Sequence, residues 1–211
     1  MNSGVVGYGA YIPRFRIKRD EYVKAWGSFS PRGVEEKAVA GLDEDVVTMA
    51  VESSVGALKC AGISSNQLNG MFFASTSAPY AEKLSSSTII ASLDGPSEIF
   101  LADLGFSTKA GTAALLSCLD FVSSGRGDLG LVGASDMSQA MPSDSLEHGL
   151  GAGSASFVIG RNDLVANVEG AYCSSLEIIG ERYRRHGERF LKDSCIGAYT
   201  DQAFTQALSI S

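Results

Sequence analysis

Short apolar runs alternate with stretches of helical spacing along most of the chain. The segment Gly4 to Ile12 alternates small and apolar residues and stops before Pro13, which predicts a short buried strand. Apolar runs further along predict four more strands and a less regular fifth one. These span Met71 to Ala74, Ile99 to Ala102, Leu129 to Ala134, Ser154 to Gly160 and Leu164 to Tyr172.

Three helices are predicted between these strands. Between Val46 and Ala61, apolar residues recur three and four positions apart, after an acidic start and before Gly62, as in an amphipathic helix. Ala81 to Leu93 can form a second helix. Lys109 to Ser124 is small and apolar on nearly every side, which predicts a helix in the middle of the fold. Strands that alternate with helices predict a layered α/β architecture, with parallel pairing where a helix makes the crossover.

The alternation of predicted strands and helices ends near Cys173. Residues 174–211 pass through a charged stretch and end in a segment with room only for the start of a helix. We therefore predict an N-terminal half over residues 1–173 and a connection over residues 174–211. A domain that stops as a new element begins is expected to be incomplete.

Composition narrows the function classes. The chain has 211 residues, 45% hydrophobic and 19% charged, so we expect one compact α/β domain and no disorder. Lys and Arg number 17 against 24 Asp and Glu, and the formal net charge of -7 argues against a nucleic acid or an anionic membrane as partner. An anionic ligand would need a local basic cluster. Arg14, Arg16, Lys18 and Arg19 provide one, predicted to be a basic loop around Phe15.

Localisation and metal binding follow from other patterns. Apolar stretches end well before the roughly 20 residues of a membrane helix, and the N-terminus lacks a signal-peptide pattern. Cys60, Cys118, Cys173 and Cys195 are widely spaced, without a CxxC pair or a histidine at a metal-ligand interval. We therefore expect a reduced, cytoplasmic protein without a zinc site. Cys118 is expected to pack in the core, and His148 is expected in a surface turn.

Four segments carry a family resemblance. They are VVGYGAYIPRFRI (Val5 to Ile17), EKAVAGLDEDVVTMAVE (Glu36 to Glu52), KAGTAALLSCLDFVSSG (Lys109 to Gly125) and GASDMSQAMPSDSLEHGLGAGSASFVIG (Gly133 to Gly160). In this order and spacing, over nearly all of residues 4–190, they resemble the thiolase superfamily. Within it they are similar to the bacterial and archaeal relatives of hydroxymethylglutaryl-CoA synthase.

The resemblance implies a thiolase-like layered α/β fold. In the family, two similar βαβαβαββ halves, each with a buried central helix and a mostly parallel mixed sheet, pack together with the active site at their junction. This chain matches the first half and the connection after it. The second half supplies a catalytic histidine and a glycine-rich loop in the family. We expect either that a partner chain supplies this half or that the chain is a truncated product.

The resemblance also implies where the chemistry would stand. In the family a cysteine nucleophile precedes the central helix, whose N-terminus stabilises a thiolate. That position is Thr108 here, and Ser107, one residue earlier, is expected to face elsewhere. The family's glutamate acid/base corresponds to Thr76, which cannot shuttle a proton near neutral pH as a carboxylate can, and Glu82 is its alternative. Thr108, Ser107 and Thr76 are thus the candidate catalytic positions, without the usual covalent acyl-cysteine route.

The candidate binding residues share a basic or aromatic side chain in or beside a family motif. They are Arg14, Arg16, Lys18, Tyr80, Lys109, Arg184 and Arg185. The first three could meet the phosphates of coenzyme A, or could belong to a solvated loop. The last two could contact the coenzyme or form interdomain salt bridges. Gly151 and Gly153, after a polar loop that helps shape the family's pocket, are predicted to permit close backbone approach.

Two functions remain open. The first is an acyl-CoA protein that acts in Claisen-type carbon–carbon bond formation or cleavage, an acyltransferase that needs a partner chain. The second is a non-catalytic structural or regulatory subunit that completes the dimer of an active paralogue. The resemblance implies a homo- or hetero-oligomer with a thiolase-like chain and allows a zinc-ribbon/OB-fold protein as a further partner. A coenzyme A thioester is the implied substrate, and no tightly bound cofactor is expected.

Overall fold

The computed structural model describes residues 3–174, 182–193 and 205. Its strands and helices, in chain order, are β1 (Gly4–Tyr11), β2 (Phe15–Lys18), α1 (Arg19–Trp26), β3 (Glu36–Val39), α2 (Val46–Ala61), β4 (Gly70–Ala74), α3 (Ser85–Ser92), β5 (Phe100–Leu104), α4 (Ala110–Ser123), β6 (Gly130–Asp136), α5 (Ser145–Gly149), β7 (Gly153–Gly160) and β8 (Ala166–Asn167). A short 3-10 turn, Ser65–Gln67, precedes β4. The predicted helices and strands therefore exist, with shifted ends. The predicted strand over Leu164 to Tyr172 is reduced to the two residues of β8.

The chain forms two compact units. The larger unit consists of the described part of Met1–Ile17, Ala38–Met137 and Gly151–Gly170. The smaller unit consists of Lys18–Lys37, Ser138–Leu150 and the described part of Ala171–Ser211. The sequence-based division into residues 1–173 and 174–211 stays a prediction.

The larger unit has the predicted βαβαβαββ order, read along β1, α2, β4, α3, β5, α4, β6 and β7. Its six-stranded sheet has the order β5-β4-β6-β7-β1-β8. Strand β4 is parallel to both β5 and β6, whereas the pairings of β6 with β7, β7 with β1 and β1 with β8 are antiparallel. Strands β5, β4, β6 and β1 point the same way and β7 and β8 point the opposite way, as expected of a mostly parallel mixed sheet. The antiparallel pairings arise because β7 lies between β6 and β1 and because β8 pairs with β1 at the edge.

Helices cover both faces of this sheet. Successive residues of a strand point to opposite faces. In β4, Met71 and Phe73 pack in one core with α2 and α3, while Phe72 packs in a second core with α4. Helix α4 is buried on its sheet-facing side only, since Thr112 and Asp120 are exposed. The sequence predicts a helix in the middle of the fold. In the described part of the chain, however, the sheet covers only one side of α4, and the other side is exposed.

Helix α2 is tightly fixed to the sheet. Its first turn is capped by Asp45, and its last turn ends at Gly62, which has the left-handed φ of 67°. A Cβ on Gly9 of β1 would lie 2.2 Å from the carbonyl oxygen of Ser53, so this strand and helix approach more closely than any side chain allows. Gly151 and Gly153 do not have this role, because a Cβ there would meet its nearest atom at 3.6 and 3.5 Å, an ordinary contact.

The predicted basic loop is not a loop. Arg16 and Lys18 lie in β2, which pairs with β3 in a separate two-stranded sheet, and Arg19 begins α1. The strand was missed because its partner lies about 20 residues further along the chain, and short-range periodicity carries no signal for such a pairing.

The smaller unit has a polar and aromatic cluster of its own. His148 of α5 is only 2% exposed, stacks on Phe29 and accepts a hydrogen bond at Nδ1 from the Ser30 N–H at 3.2 Å. Beside it, the Lys37 ammonium and the Tyr22 hydroxyl donate to the Glu147 carboxylate at 2.6 and 2.7 Å. The prediction that His148 lies in a surface turn is therefore wrong, because its ring packs between aromatic side chains from a distant part of the sequence.

Candidate functional site

A cavity of about 480 Å³ opens in the larger unit where several strand ends meet the start of α4. The C-terminal ends of β1, β4 and β6, the N-terminal end of β7 and the first turn of α4 form its walls. Ligand sites in α/β folds lie at the carboxyl ends of parallel strands, and small-molecule pockets have volumes of roughly 300 to 1,000 Å³. Both position and size fit a small-molecule site.

Ser107 and Thr108 both line this cavity. The chain turns at Phe106, whose left-handed φ is 66°, and then enters α4. The Ser107 hydroxyl accepts a hydrogen bond from the Lys109 N–H at 3.1 Å, which shapes the turn before the helix. The expectation that Ser107 faces elsewhere is wrong, since this turn brings two adjacent hydroxyl residues to one wall. Both stand at a helix N-terminus, where N–H groups and the helix dipole favour negative charge.

The carboxylate of the cavity wall is Asp136, at the end of β6. Its Oδ1 accepts hydrogen bonds from the Thr76 N–H at 2.8 Å, the Thr76 hydroxyl at 3.0 Å and the Ser77 hydroxyl at 2.7 Å. Among the described residues that line the cavity, Asp136 is the one acidic group. Thr76 therefore serves as a donor that holds this carboxylate.

Sequence reasoning treated Asp136 only as the start of a polar loop. The signal that could have found it is the pairing of β4 with β6, which aligns Ala74 with Ala134 and so places the residues after β4 beside the end of β6. A polar Ser-Thr-Ser segment after one strand and an acid at the end of its neighbour predict contact once that pairing is known.

Tyr11, at the end of β1, forms part of another wall of the cavity. Its hydroxyl donates to one oxygen of the Glu44 carboxylate, and the second oxygen accepts from the Gly41 N–H at 2.5 Å. The hydrogen bond to Glu44 raises the pKa of Tyr11 above its usual value. The same bond, then the Gly41 N–H and the charge of Arg14, lower the pKa of Glu44. Sequence analysis singled out neither residue.

The predicted binding residues do not line the cavity. Arg14 lies with its guanidinium 5.0 Å from the centre of the Phe15 ring, and Arg16 donates to the Phe15 carbonyl at 2.9 Å. Tyr80 is exposed beside the Lys83 ammonium, and Lys109 precedes α4 as an exposed residue. The remaining three belong to the smaller unit: Lys18, Arg184 and Arg185. A role of these seven residues in binding stays a prediction.

The three cysteines that the structure describes lie apart from the cavity wall. Cys118 is fully buried on the sheet-facing side of α4, where burial raises the pKa of its thiol, so its predicted place in the core is confirmed. Cys60 and Cys173 are exposed and free, and Cys195 lies outside the described residues. Within the described part of the chain, no three His, Cys, Asp or Glu side chains are grouped as metal ligands. No helix in that part is both long and apolar enough to span a membrane.

Curated relatives with similar sequences are hydroxymethylglutaryl-CoA synthases. The protein from Thermococcus onnurineus (strain NA1) is 40% identical over 195 residues, which cover 89% of this chain and 55% of that protein. The protein from Methanocaldococcus jannaschii is 38% identical over 200 residues, which cover 89% of this chain and 58% of that protein. The chain thus spans a little over half the length of these relatives. No family model matches it.

Solved structures with the same fold include "MvaS in complex with 3-hydroxy-3-methylglutaryl coenzyme A", with a TM-score of 0.84 and 19% identity over 97% of this chain and 50% of that one. The priming β-ketosynthase from the R1128 polyketide pathway has a TM-score of 0.72 and 25% identity over 77% of this chain and 51% of that one. In sequence the chain is similar to hydroxymethylglutaryl-CoA synthases, and its fold is thiolase-like. The predicted resemblance and the predicted thiolase-like α/β fold are confirmed.

The resemblance implies that the chain differs from hydroxymethylglutaryl-CoA synthases at two positions, and the structure shows where those residues lie. The resemblance places Thr108 where the family has its cysteine, and the structure places Thr108 in the cavity wall. It places Thr76 where the family has its glutamate, and the structure bonds Thr76 to Asp136. The cavity wall contains the hydroxyl residues Ser107 and Thr108 and one aspartate, Asp136; that these stand where the family has a thiol and a glutamate stays an implication of the resemblance.

Proposed function

We propose that this chain binds an acyl-CoA thioester in the cavity at the start of α4. There it takes part, within an oligomer, in Claisen-type formation or cleavage of a carbon–carbon bond. One observation carries the proposal: Thr108, at the position of the family's nucleophile, lines a cavity of about 480 Å³. The similarity to hydroxymethylglutaryl-CoA synthases over 89% of the chain supports this substrate class.

The start of α4 is suited to a thioester carbonyl. When a nucleophile attacks that carbonyl, negative charge develops on its oxygen, and N–H groups at a helix N-terminus stabilise such charge. Gly111 and Ala110 of the first turn line the cavity. We assign the thioester carbonyl to this end of the cavity.

Thr108 is the proposed acyl acceptor. Its hydroxyl oxygen forms a bond to the thioester carbonyl carbon, the carbon–sulfur bond breaks, and the hydroxyl proton passes to the departing thiol. A hydroxyl needs a base for this step, since it is a much weaker nucleophile than a thiolate. Asp136 is the carboxylate in the same wall, and we assign the proton transfer to it.

By resemblance, we propose a homo- or hetero-oligomer with a thiolase-like chain. A zinc-ribbon/OB-fold protein is a further partner by resemblance. The proposed compartment is the cytoplasm, and the proposed sites for the coenzyme phosphates are the basic residues around Phe15 and the pair Arg184 and Arg185.

The test is the intact mass of the denatured chain after incubation with acetyl-CoA, followed by mapping of any adduct. We expect one acetyl group on Thr108, none in Thr108→Val, and faster acetylation in Thr108→Cys because a thiolate is the better nucleophile. Thr112→Val is the matched control, since Thr112 lies on the exposed side of the same helix and its hydroxyl bonds only within the helix, to the Lys109 carbonyl at 2.9 Å.

Two results would decide against the proposal. Acetylation that persists in Thr108→Val would place the chemistry elsewhere. A chain that stays unmodified as Thr108→Cys, alone and with a thiolase-like partner, would contradict an acyl-CoA site and favour a non-catalytic subunit.

A further inference from the structure

Tyr11 brings a polar group to a wall of the cavity that is otherwise built from small residues. Its neighbours on that wall at the end of β1 are Ala10 and Ile12, and the facing residues of β7 are Gly153, Ser154 and Ala155. The Tyr11 ring packs against the core beneath α2, which fixes the base of the side chain. Tyr11 is thus a fixed residue of this wall, at the end of β1.

Glu44 fixes the other end of this side chain. The Tyr11 hydroxyl donates to Glu44, whose second carboxylate oxygen accepts from the Gly41 N–H at 2.5 Å. The carboxylate lies close to the turn, since a Cβ on Gly41 would be 3.1 Å from that same oxygen. The carboxylate is therefore held by the backbone and in turn holds the phenol.

This arrangement decides what the phenol can offer a ligand. A tyrosine hydroxyl has one hydrogen and two lone pairs, and here the hydrogen is committed to a carboxylate. The charges around the pair strengthen this commitment: Glu44 foremost, then Glu52 and Asp43, disfavour loss of the proton from Tyr11. Towards a ligand, the oxygen can only accept a hydrogen bond. The matching ligand group must be a donor, such as an N–H.

We propose that Tyr11 is a specificity-determining residue that accepts a hydrogen bond from an amide N–H of the coenzyme's pantetheine arm, and that Glu44 positions it. The proposal rests on the proposed acyl-CoA function. The arm is the part of the substrate that lies next to the thioester, and its amides are its N–H donors. Tyr11 and the start of α4 line one cavity, so a thioester at α4 leaves the arm to pass this wall.

The test compares binding of acetyl-CoA with binding of an analogue in which an ester oxygen replaces one amide N–H, by calorimetry on the full chain. We expect the wild-type chain to bind one such ester analogue roughly fivefold to tenfold more weakly than acetyl-CoA, the loss of one hydrogen bond. Tyr11→Phe keeps the ring and should bind both ligands equally, at the affinity of the ester. Tyr8→Phe is the matched control, because Tyr8 lies on the same strand but is 58% exposed and outside the cavity wall.

The positioning role of Glu44 is tested by comparing its variants with those of Tyr11 in acetyl-CoA binding. Glu44→Ala should weaken acetyl-CoA binding by about the same factor as Tyr11→Phe, and the double variant should be no weaker than either, because Glu44 acts through the phenol. Glu44→Gln keeps an acceptor for the hydroxyl and should restore most of the affinity. Thermal unfolding of each variant shows that the comparison is made between folded chains.

The outcomes separate this inference from the proposed function. If the wild-type chain binds acetyl-CoA and Tyr11→Phe still distinguishes amide from ester, Tyr11 is not the acceptor, while the acyl-CoA site stands. Fully additive losses in the double variant would likewise overturn the positioning role of Glu44. If the wild-type chain binds neither ligand, the proposed function and this inference fall together.

Discussion

Helices α2 and α4 pack on opposite faces of one sheet, and their N-termini are capped differently. Helix α2 begins behind Asp45, whose carboxylate accepts from the N–H groups of Val47 and Thr48 at 2.9 and 2.8 Å. Helix α4 begins behind Lys109, whose side chain does not cap it, and its first turn lines the cavity. A helix end that is closed by its own side chains stabilises the fold, whereas an open end keeps its N–H groups for a ligand.

The largest expected effect is a loss of stability when a substitution in β1 pushes α2 away from the sheet. Gly9→Ala would place a Cβ 2.2 Å from the Ser53 carbonyl oxygen, so strand or helix must shift, at a cost of roughly 3 kcal/mol of the free energy of unfolding. Urea unfolding measures this loss. Gly170→Ala is the control, because no atom lies within 4 Å of its added Cβ. A loss below about 0.5 kcal/mol would contradict this packing.

The next largest effect is expected at the open end of α4. Ser107→Asp adds a carboxylate beside the first N–H groups of that helix, which favours the helix but repels the charge that develops on a bound thioester. We expect acetyl-CoA to bind about tenfold more weakly, or about 1.4 kcal/mol, with an unchanged or higher unfolding temperature. Calorimetry and thermal unfolding of the same sample measure both. Unchanged affinity would mean that the ligand does not use this helix end.

Removal of the α2 cap should have the reverse pattern. Asp45→Ala removes the acceptor for two backbone N–H groups and should lower the free energy of unfolding by about 1 kcal/mol. Affinity for acetyl-CoA should not change, since Asp45 does not line the cavity. Asp45→Asn keeps a capping side chain and should recover most of the stability. A loss of affinity with no loss of stability would reverse the roles assigned to the two helix ends.

The smallest expected effect is the pH dependence of stability that comes from Glu44, the residue before the α2 cap. The folded-state pKa of Glu44 is lowered, so its hydrogen bonds stabilise the fold above its unfolded pKa of about 4.3 and are lost as pH falls through the lower folded value. The unfolding temperatures of wild type and Glu44→Gln should differ at pH 6 and converge at lower pH. The raised pKa of Tyr11 has the opposite sign: its contribution is present below the usual phenol value and is lost at higher pH. A difference between the two chains that grows below pH 4 would contradict this assignment.

Much of the fold could be predicted because its signals are local. The strand at Gly4 to Tyr11, the helix that ends at Gly62 and the strand at Gly70 to Ala74 all follow from alternation, helical spacing and terminal residues within one segment. The family resemblance added the order of elements. The resemblance also implied a mixed sheet, whereas local periodicity carries no signal for the direction in which β7 pairs.

The site was predicted in part. Thr108, from the motif before α4, lines the cavity, and its catalytic role stays a prediction. Ser107 was expected to face elsewhere, but the turn at Phe106 brings it to the same wall. Asp136 and Tyr11 were missed because each forms its hydrogen bonds with a distant segment of the chain. Asp136 accepts from the region of Thr76, and Tyr11 donates to Glu44. Neither composition nor motif spacing can predict such long-range contacts.

The sequence by itself determined the class of fold and the similarity to hydroxymethylglutaryl-CoA synthases, and it predicts threonines where the family has cysteine and glutamate. These depend only on which residues stand in which order. Tertiary structure alone decided that Asp136 lies in the cavity wall, that His148 is buried and that the Tyr11 hydroxyl donates to Glu44. The physical reason is that burial and hydrogen bonding are properties of neighbours in space. Sheet pairing brings residues together that lie tens of positions apart, as it does Thr76 and Asp136.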